Sequence, residues 1–370
     1  MINATHYFLS VGSFQGILLA MLLLFSSKTA VSGRILGVWI LIMGLGFLVA
    51  FLFLDDTYLQ YPYLIGIVGF LPASYGAFIY LYFVTSFNGN RFKPLYLLHF
   101  TPVVICLVML ISAINTSIDT NIKITDKLHF EAIKASLSLA KLIMYGQAFV
   151  YFGLCVLLLI RIQKSAKMHL SNIPDGLFKW LWFVSAIYLI VWLGRTYIHY
   201  INENQVIDVM SNLLIISLII GIAMMQWRNP KLFMLDVLET KQADKDESLR
   251  YGENRLPEDL SENLRIEINR HMNEQKPYLD NQLTLPKLAE LTGISSHQLS
   301  QVINEQEKKN FYQFVNQFRI NEICLSLKNK PDSKILDIAL ASGFSSKSSF
   351  NSVFKNFMQQ TPSEYRKSLS

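Results

Sequence analysis

Seven apolar stretches, separated by polar breaks, lie near residues 6–26, 35–54, 62–86, 94–114, 137–160, 178–200 and 206–227. Each is about 20 residues or more, long enough as a helix to cross the ~30 Å of hydrocarbon in a bilayer. Lipid offers no partner for a backbone amide, so such stretches close their hydrogen bonds internally, as helices. The first part of the chain is therefore expected to be a seven-helix transmembrane bundle. The charge deficit is confined there: residues 1–227 hold 13 Lys/Arg and 8 Asp/Glu, whereas residues 228–370 hold 20 and 19. No basic residue precedes the first stretch, and Lys28 and Arg34 follow it, the reverse of a secretory signal's polarity.

Basic residues in the loops orient the bundle. With the N-terminus outside, the inner segments carry Lys28, Arg34, Arg91, Lys93, Arg161, Lys164, Lys167, Lys179, Arg228 and Lys231. The outer loops carry only Lys123, Lys127 and Lys134. Seven crossings then place the C-terminal part in the cytoplasm. Tyr58, Tyr61 and Tyr63 fall at the outer face and Trp180, Trp182 and Trp227 near the inner one, as aromatic belts do.

Charged groups within apolar spans are candidates for function. Lys141, Arg195, His199 and Asp208 all fall toward the outer ends of their stretches. An Arg195–Asp208 pair, with Glu203 or Lys141 nearby, would line an outward-facing pocket for an anionic or polar signal. The alternative is snorkelling to the headgroups plus one structural ion pair. His99 is expected to pack or sit at the interface. Pro72 is expected to kink the third span, and Gly12-x-x-x-Gly16 to mark close packing inside the bundle rather than a dimer face. Cys106, Cys155 and Cys324 share no metal-ligand spacing and read as small buried hydrophobes. With no paired carboxylates, no H-E-x-x-H and no supported G-x-S-x-G, the reading assigns no catalytic residue, no metal and no cofactor, and the chain is not expected to be an enzyme.

Residues 228–259 break the apolar pattern at Asn229-Pro230 and turn highly charged, which reads as a solvated cytoplasmic linker. Domain boundaries are thus expected at 1–227, 228–259 and 260–370.

The remainder repeats one plan about fifty residues apart. Leu285-Pro-Lys-Leu-Ala-Glu-Leu-Thr-Gly-Ile-Ser295 and Ile335-Leu-Asp-Ile-Ala-Leu-Ala-Ser-Gly-Phe-Ser345 each describe an amphipathic helix with a small Ala, a Gly turn and a second helix. In the first unit Thr284 offers an N-cap, Pro286 an early helical position and Gly293 a positive-φ turn, with Ser295 or Ser296 capping a second helix that runs to about Glu305. Leu285, Leu288, Leu299, Val302 and Ile303 form its core. A connecting helix from Phe311 to about Lys328 is expected to pack Phe311, Phe314, Phe318 and Leu325. In the second unit Ile335, Ile338, Ala339, Phe344, Phe350 and Phe354 pack, Gly343 turns, and Thr361-Pro-Ser-Glu364 caps a last helix. Two helix-turn-helix units present two recognition helices to DNA, and from Lys308 onward 10 basic residues face 4 acidic ones.

Gly343-Phe-Ser-Ser-Lys-Ser-Ser-Phe-Asn-Ser-Val-Phe-Lys-Asn-Phe357 followed by Thr361-Pro-Ser-Glu-Tyr-Arg366 resembles the signature of AraC-type (AraC/XylS) transcriptional regulators, over residues 261–370. The whole chain resembles the membrane-tethered bacterial branch, which His99-Phe100 and Pro102 also fit. The resemblance implies an all-α seven-helix domain whose recognition helices enter adjacent major grooves, in a multi-pass protein of the bacterial cytoplasmic membrane. Carried over position by position, base reading falls to Ser296, His297, Gln298 and Gln301, and to Ser346, Lys347, Ser348 and Asn351. Lys355 and Arg319 are placed for phosphates or for pairing within the domain. Implied partners are promoter DNA, the bilayer, RNA polymerase, a small-molecule or envelope signal, and a second copy of the chain in a homodimer. Lys308 and Gln360 stand where the family closes each recognition helix with Gly, and Ile323 where it often has Ala. The competing reading is a transporter or solute receptor whose tail docks proteins.

Overall fold

The structure, a computed structural model, describes residues 2–26, 29–52, 67–87, 92–119, 127–173, 177–201, 205–228 and 256–369. The chain is all-α; among these residues the one β feature is an isolated bridge between Leu170 and Thr284. It divides into two compact units. The first comprises Met1–Leu159 and Trp180–Leu235, and the second Ile160–Lys179 and Asp236–Ser370. The charged linker, Tyr58, Tyr61, Tyr63 and Glu203 lie outside the described residues.

The first unit is built from α1 (Ile2–Phe25), α2 (Val31–Leu52), α3 (Tyr75–Phe87), α4 (Thr101–Asp119), α5 (Lys127–His169), α6 (Leu177–Tyr200) and α7 (Gln205–Arg228). Six stretches among the described residues are helical, long and apolar enough to cross a membrane; in α7 the apolar run is Val209–Leu218. Pro72 acts as expected. It lies in a 3-10 segment, Leu71–Ser74, that interrupts the helical stretch Ile67–Phe87, because a proline ring clashes with the preceding turn and donates no hydrogen bond. A second 3-10 segment, Pro94–Phe100, leads into α4. The helix α5 outruns its apolar stretch: 43 residues make it about 65 Å long, and its last turns belong to the second unit.

Gly16 shows why α1 and α2 approach so closely. A Cβ there would stand 3.0 Å from the Cα of Gly44, and Gly12 similarly meets Ile216 and Phe47. The small-residue motif therefore serves packing inside the bundle. His99 also packs: its Nδ1 lies 3.1 Å from the Tyr151 hydroxyl, which donates to the His99 carbonyl at 2.9 Å. Cys106 and Cys155 are buried and Cys324 partly so, none in a disulfide.

The second unit holds α8 (Glu258–Gln275), α9 (Leu285–Thr292), α10 (Ser296–Glu305), α11 (Phe311–Asn329), α12 (Ile335–Ala341), α13 (Lys347–Met358) and α14 (Pro362–Leu369). Two cores form. One gathers Ile268 and Met272 from α8 with Leu285, Leu288, Leu299, Val302, Ile303, Phe311 and Phe314. The other gathers Ile320, Ile323, Leu327, Ile338, Ala339, Phe344, Phe350 and Phe354. Leu325 does not join either; it is 59% exposed. The connecting helix α11 turns one face to the first core and another to the second, so Ile320, Ile323 and Leu327 take the inner positions and Leu325 points outward.

Candidate nucleic-acid interface

Local chemistry sets each helix of the two units. The Thr284 hydroxyl accepts from the Lys287 amide and caps α9. Gly293 ends α9 at φ +70°, and its amide closes onto the last turn. Ser295, the first of the two expected caps, holds α10 by accepting from the Gln298 amide. A reciprocal Asn310–Gln313 capping box starts α11. Gly343 turns at φ +91°, Ser346 caps α13 through the Ser349 amide, and Thr361 with Glu364 makes a second box at α14. Each such cap is worth about 1 kcal/mol.

Two recognition helices would close on left-handed residues that are not glycine. Lys308 sits at φ +54°, as its place in the pattern suggests. In the second unit the left-handed residue is Gln359 (φ +58°), not Gln360, because α13 ends at Met358 and the Gln359 amide closes back on Lys355. A side chain in this region costs roughly 1 kcal/mol.

On α13, Lys347, Ser348, Asn351 and Lys355 are all exposed, while Ser349, Phe350, Val353 and Phe354 face the core. Ser346 is half-buried and committed to its cap. On α10 the residues singled out for base reading are half-buried, and two of them, Gln298 and Gln301, are partly occupied by neighbours on the same helix and its cap. The Ser295 hydroxyl donates to Gln298 Oε1 at 3.1 Å, and Gln301 Nε2 donates to Glu305 at 3.3 Å. Ser296 and His297 stand in the first turn of the same helix. Along α11, 19 residues span about 28 Å, against the ~34 Å repeat of the major groove.

Arg319 takes the intradomain alternative rather than the phosphate one. It is fully buried (0% exposed). Its Nε donates to the Tyr278 carbonyl at 2.8 Å and its Nη2 to the Asp280 carbonyl at 2.9 Å. Burial pulls its pKa down to about 10, which still leaves it charged at neutral pH. Glu322 accepts from Lys276 and from the Tyr278 hydroxyl, each at 3.0 Å. Burial pushes that carboxyl up, and these two donors more than reverse it, leaving it below the usual range.

In the first unit, Arg195 lines a partly open cavity of about 290 Å³ walled by Trp39, Phe47, Tyr75, Trp192 and Asn212 among others. Its Nη2 donates to Asn212 Oδ1 at 2.7 Å. Asn212 carries no charge and was not singled out by sequence; it lies one helical turn beyond Asp208, whose side chain lies outside the described residues. Lys141 and His199 do not line the cavity. Both are exposed, and the His199 ring stacks on Tyr145 at 5.2 Å. Among the described residues no three His, Cys, Asp or Glu side chains gather as a metal site.

Comparison with known proteins bears on the second unit alone. A family model described as a helix-turn-helix domain matches residues 288–368. An uncharacterised HTH-type transcriptional regulator of Staphylococcus aureus (strain COL) is 43% identical over 84 residues, 23% of this chain and 11% of the relative. The HTH-type transcriptional regulator MtrA of Neisseria gonorrhoeae is 32% identical over 88 residues, 24% of this chain and 29% of the relative. The matched segment thus spans about a tenth to under a third of these relatives' own length. No solved structure matches the chain. The C-terminal domain is a helix-turn-helix domain of the AraC type.

Proposed function

We propose that the protein is a membrane-integrated, one-component transcriptional regulator. In this reading residues 1–227 form a seven-span sensor in a bacterial cytoplasmic membrane, with the N-terminus outside. Residues 228–259 form a cytoplasmic linker, and residues 260–370 bind promoter DNA and engage RNA polymerase. The observation that carries it is the pairing, in one chain, of a double helix-turn-helix domain with six helices apolar and long enough to cross a bilayer. The ten-to-three excess of basic residues in the inner loops supports the orientation.

The exposed row Lys347, Ser348, Asn351 and Lys355 is the second unit's DNA face, with Ser346 at its start; Ser296, His297, Gln298 and Gln301 form the first unit's. The signal enters at the Arg195 cavity. A fixed guanidinium in a largely apolar, aromatic-walled space suits an anionic or polar small molecule.

The test uses the full chain in lipid nanodiscs, offered a random pool of DNA duplexes. Selection of a sequence with two sites one helical turn apart is the expected result; recovery of no preferred duplex would sink the regulator reading. Arg195→Ala is expected to abolish the response of a promoter reporter to envelope extract while leaving membrane insertion normal. An unchanged response would remove the cavity from the account.

A further inference from the structure

The second unit contains more than the helix-turn-helix domain: the chain between α5 and α6 belongs to it. Leu170 pairs with Thr284 in an antiparallel bridge. The Ser171 amide and hydroxyl both donate to the Leu283 carbonyl. The Ser171 carbonyl in turn accepts from Arg319 Nη1 at 2.9 Å and from Asn316 Nδ2 at 3.1 Å, and its hydroxyl accepts from Arg319 Nη2 at 3.0 Å. Asn172 donates to the carbonyls of Asn281 (3.3 Å) and Gly343 (3.5 Å) and accepts from the Ser349 hydroxyl at 3.4 Å. Ser171, Asn316, Arg319 and Ser349 are all buried.

These bonds fall on three parts of the domain. Asn281, Leu283 and Thr284 lead into the first helix-turn-helix unit, Asn316 and Arg319 sit on the connecting helix, and Gly343 and Ser349 form the turn and recognition helix of the second. Arg319 divides its donors between the Tyr278 and Asp280 carbonyls and Asn316 Oδ1 of its own domain and the carbonyl and hydroxyl of Ser171. A buried guanidinium left with open donors is costly, so the cleft is shaped for an occupant that brings a main-chain carbonyl and a hydroxyl as acceptors. The occupant is on hand, tethered directly to α5. Meanwhile Lys347, Ser348, Asn351 and Lys355 stay exposed with the segment in place.

We propose that the Arg319 cleft is a docking site for the extended segment Leu170–Asn172. Docking staples the two helix-turn-helix units together in the relation that lets both engage one duplex. It acts as a positioning contact, not as a cover over the DNA face. This rests on the DNA-binding reading of the domain, whereas the docking itself does not.

The test takes the full chain in nanodiscs, in a Cys324→Ser background. With Asn172→Cys and Asn281→Cys, a short bismaleimide is expected to form an intrachain link found by peptide mass spectrometry; no link under conditions that modify both thiols would overturn the docking. Ser171→Pro removes both Ser171 donors, and Asn172→Ala, which keeps the backbone intact, weakens the same contact. Both are expected to speed amide exchange across 281–284 and 343–349 by about tenfold or more, and unchanged exchange in both counts against the proposal. On the duplex selected by the unmodified chain, Asn172→Ala is expected to weaken binding about tenfold and to shorten the footprint to one half. Tighter binding, or an unaltered footprint, would refute the stapling role. If the unmodified chain selects no duplex, the regulator reading fails, while the cross-link and exchange still decide the docking.

Discussion

Gly293 and Gly343 occupy equivalent places in the two repeats, yet replacing each by alanine is expected to give very different results. At Gly293, φ is +70° and an added Cβ meets nothing within 4 Å. Gly293→Ala then carries only the left-handed strain, about 1 kcal/mol. At Gly343, φ is +91°, and the new Cβ would stand 2.3 Å from the Tyr278 carbonyl oxygen and 2.9 Å from Arg319 Nε. Those two atoms share a buried 2.8 Å hydrogen bond, so relieving one clash breaks the other contact. Overpacking costs about 1–3 kcal/mol and a hydrogen bond to a charged group about 1.5–3. These overlap, so with the strain Gly343→Ala is expected to lose about 3–5 kcal/mol, a large share of the roughly 5–15 kcal/mol that holds a domain together. The assay is hydrogen exchange with mass spectrometry on the full chain in nanodiscs, reading peptides over 278–284 and α11, whose protection converts to free energy. Equal losses for the two variants, or a loss at Gly343 no larger than the strain alone, would refute the argument.

Lys308→Gly and Gln359→Gly are each expected to raise domain stability by about 0.5–1 kcal/mol, since glycine adopts the left-handed conformation freely; thermal shift of the nanodisc-bound chain reads this, and no gain at either site would contradict it. Lys355→Ala is expected to weaken binding to every duplex alike and to reduce the salt slope by about one, whereas Gln298→Ala shifts sequence preference; binding curves at several salt concentrations on matched and scrambled duplexes separate the two. Ile323→Ala, which installs the residue common in the family, is expected to cost about 2–5 kcal/mol because Ile323 is fully buried in this core; a loss under 1 kcal/mol in the same exchange assay would show the site to be loosely packed. Hydrogen bonds from Lys287 and from the Gln282 amide hold Asp280 below the usual carboxylate range, and Glu322 also lies low. A carboxylate with a depressed folded pKa stabilises the fold above its unfolded value of about 4, and that contribution is lost as pH falls through the folded one. Exchange protection over 276–287 should therefore decline below about pH 4, and Asp280→Asn should flatten the part of that decline due to Asp280.

The caps Thr284, Ser295 and Thr361 were legible because a cap is a local event, each acting on an amide three residues away. Ser346, read as a DNA-facing residue, and Asn310, which no sequence signal singled out, cap their helices in the same way. The core of each unit was legible for the same reason, since helical spacing alone brings Leu285 and Leu288 to one face of α9 and Leu299 and Val302 to one face of α10. What escaped depends on elements distant in sequence. Asn212 as the partner of Arg195 follows from how α6 meets α7, and a search for opposite charge passes over a neutral amide. Ser171 carries no motif, because what the domain reads there is mostly main chain. The left-handed residue moved from Gln360 to Gln359 because one residue more or less of helix depends on packing rather than on propensity.

The connecting helix shows how two look-alike motifs become one reader. A helix with one wet face declares itself by an apolar stripe. In α11, Phe311, Phe314 and Val315 serve one core and Ile320, Ile323 and Leu327 the other, so no single stripe exists. That is why Leu325, apolar and in plausible register, could be mistaken for a core residue. The same absence has a mechanical consequence. Separating the two units would strip one set of these side chains from its core, at about 1.5–3 kcal/mol for each large apolar residue exposed. Three such residues on either side approach the stability of a whole domain. The two helix-turn-helix units therefore cannot reorient by a hinge in the middle of α11. Any adjustment between them must come from the loops before α9 and around Gly343, where Arg319 gathers its acceptors.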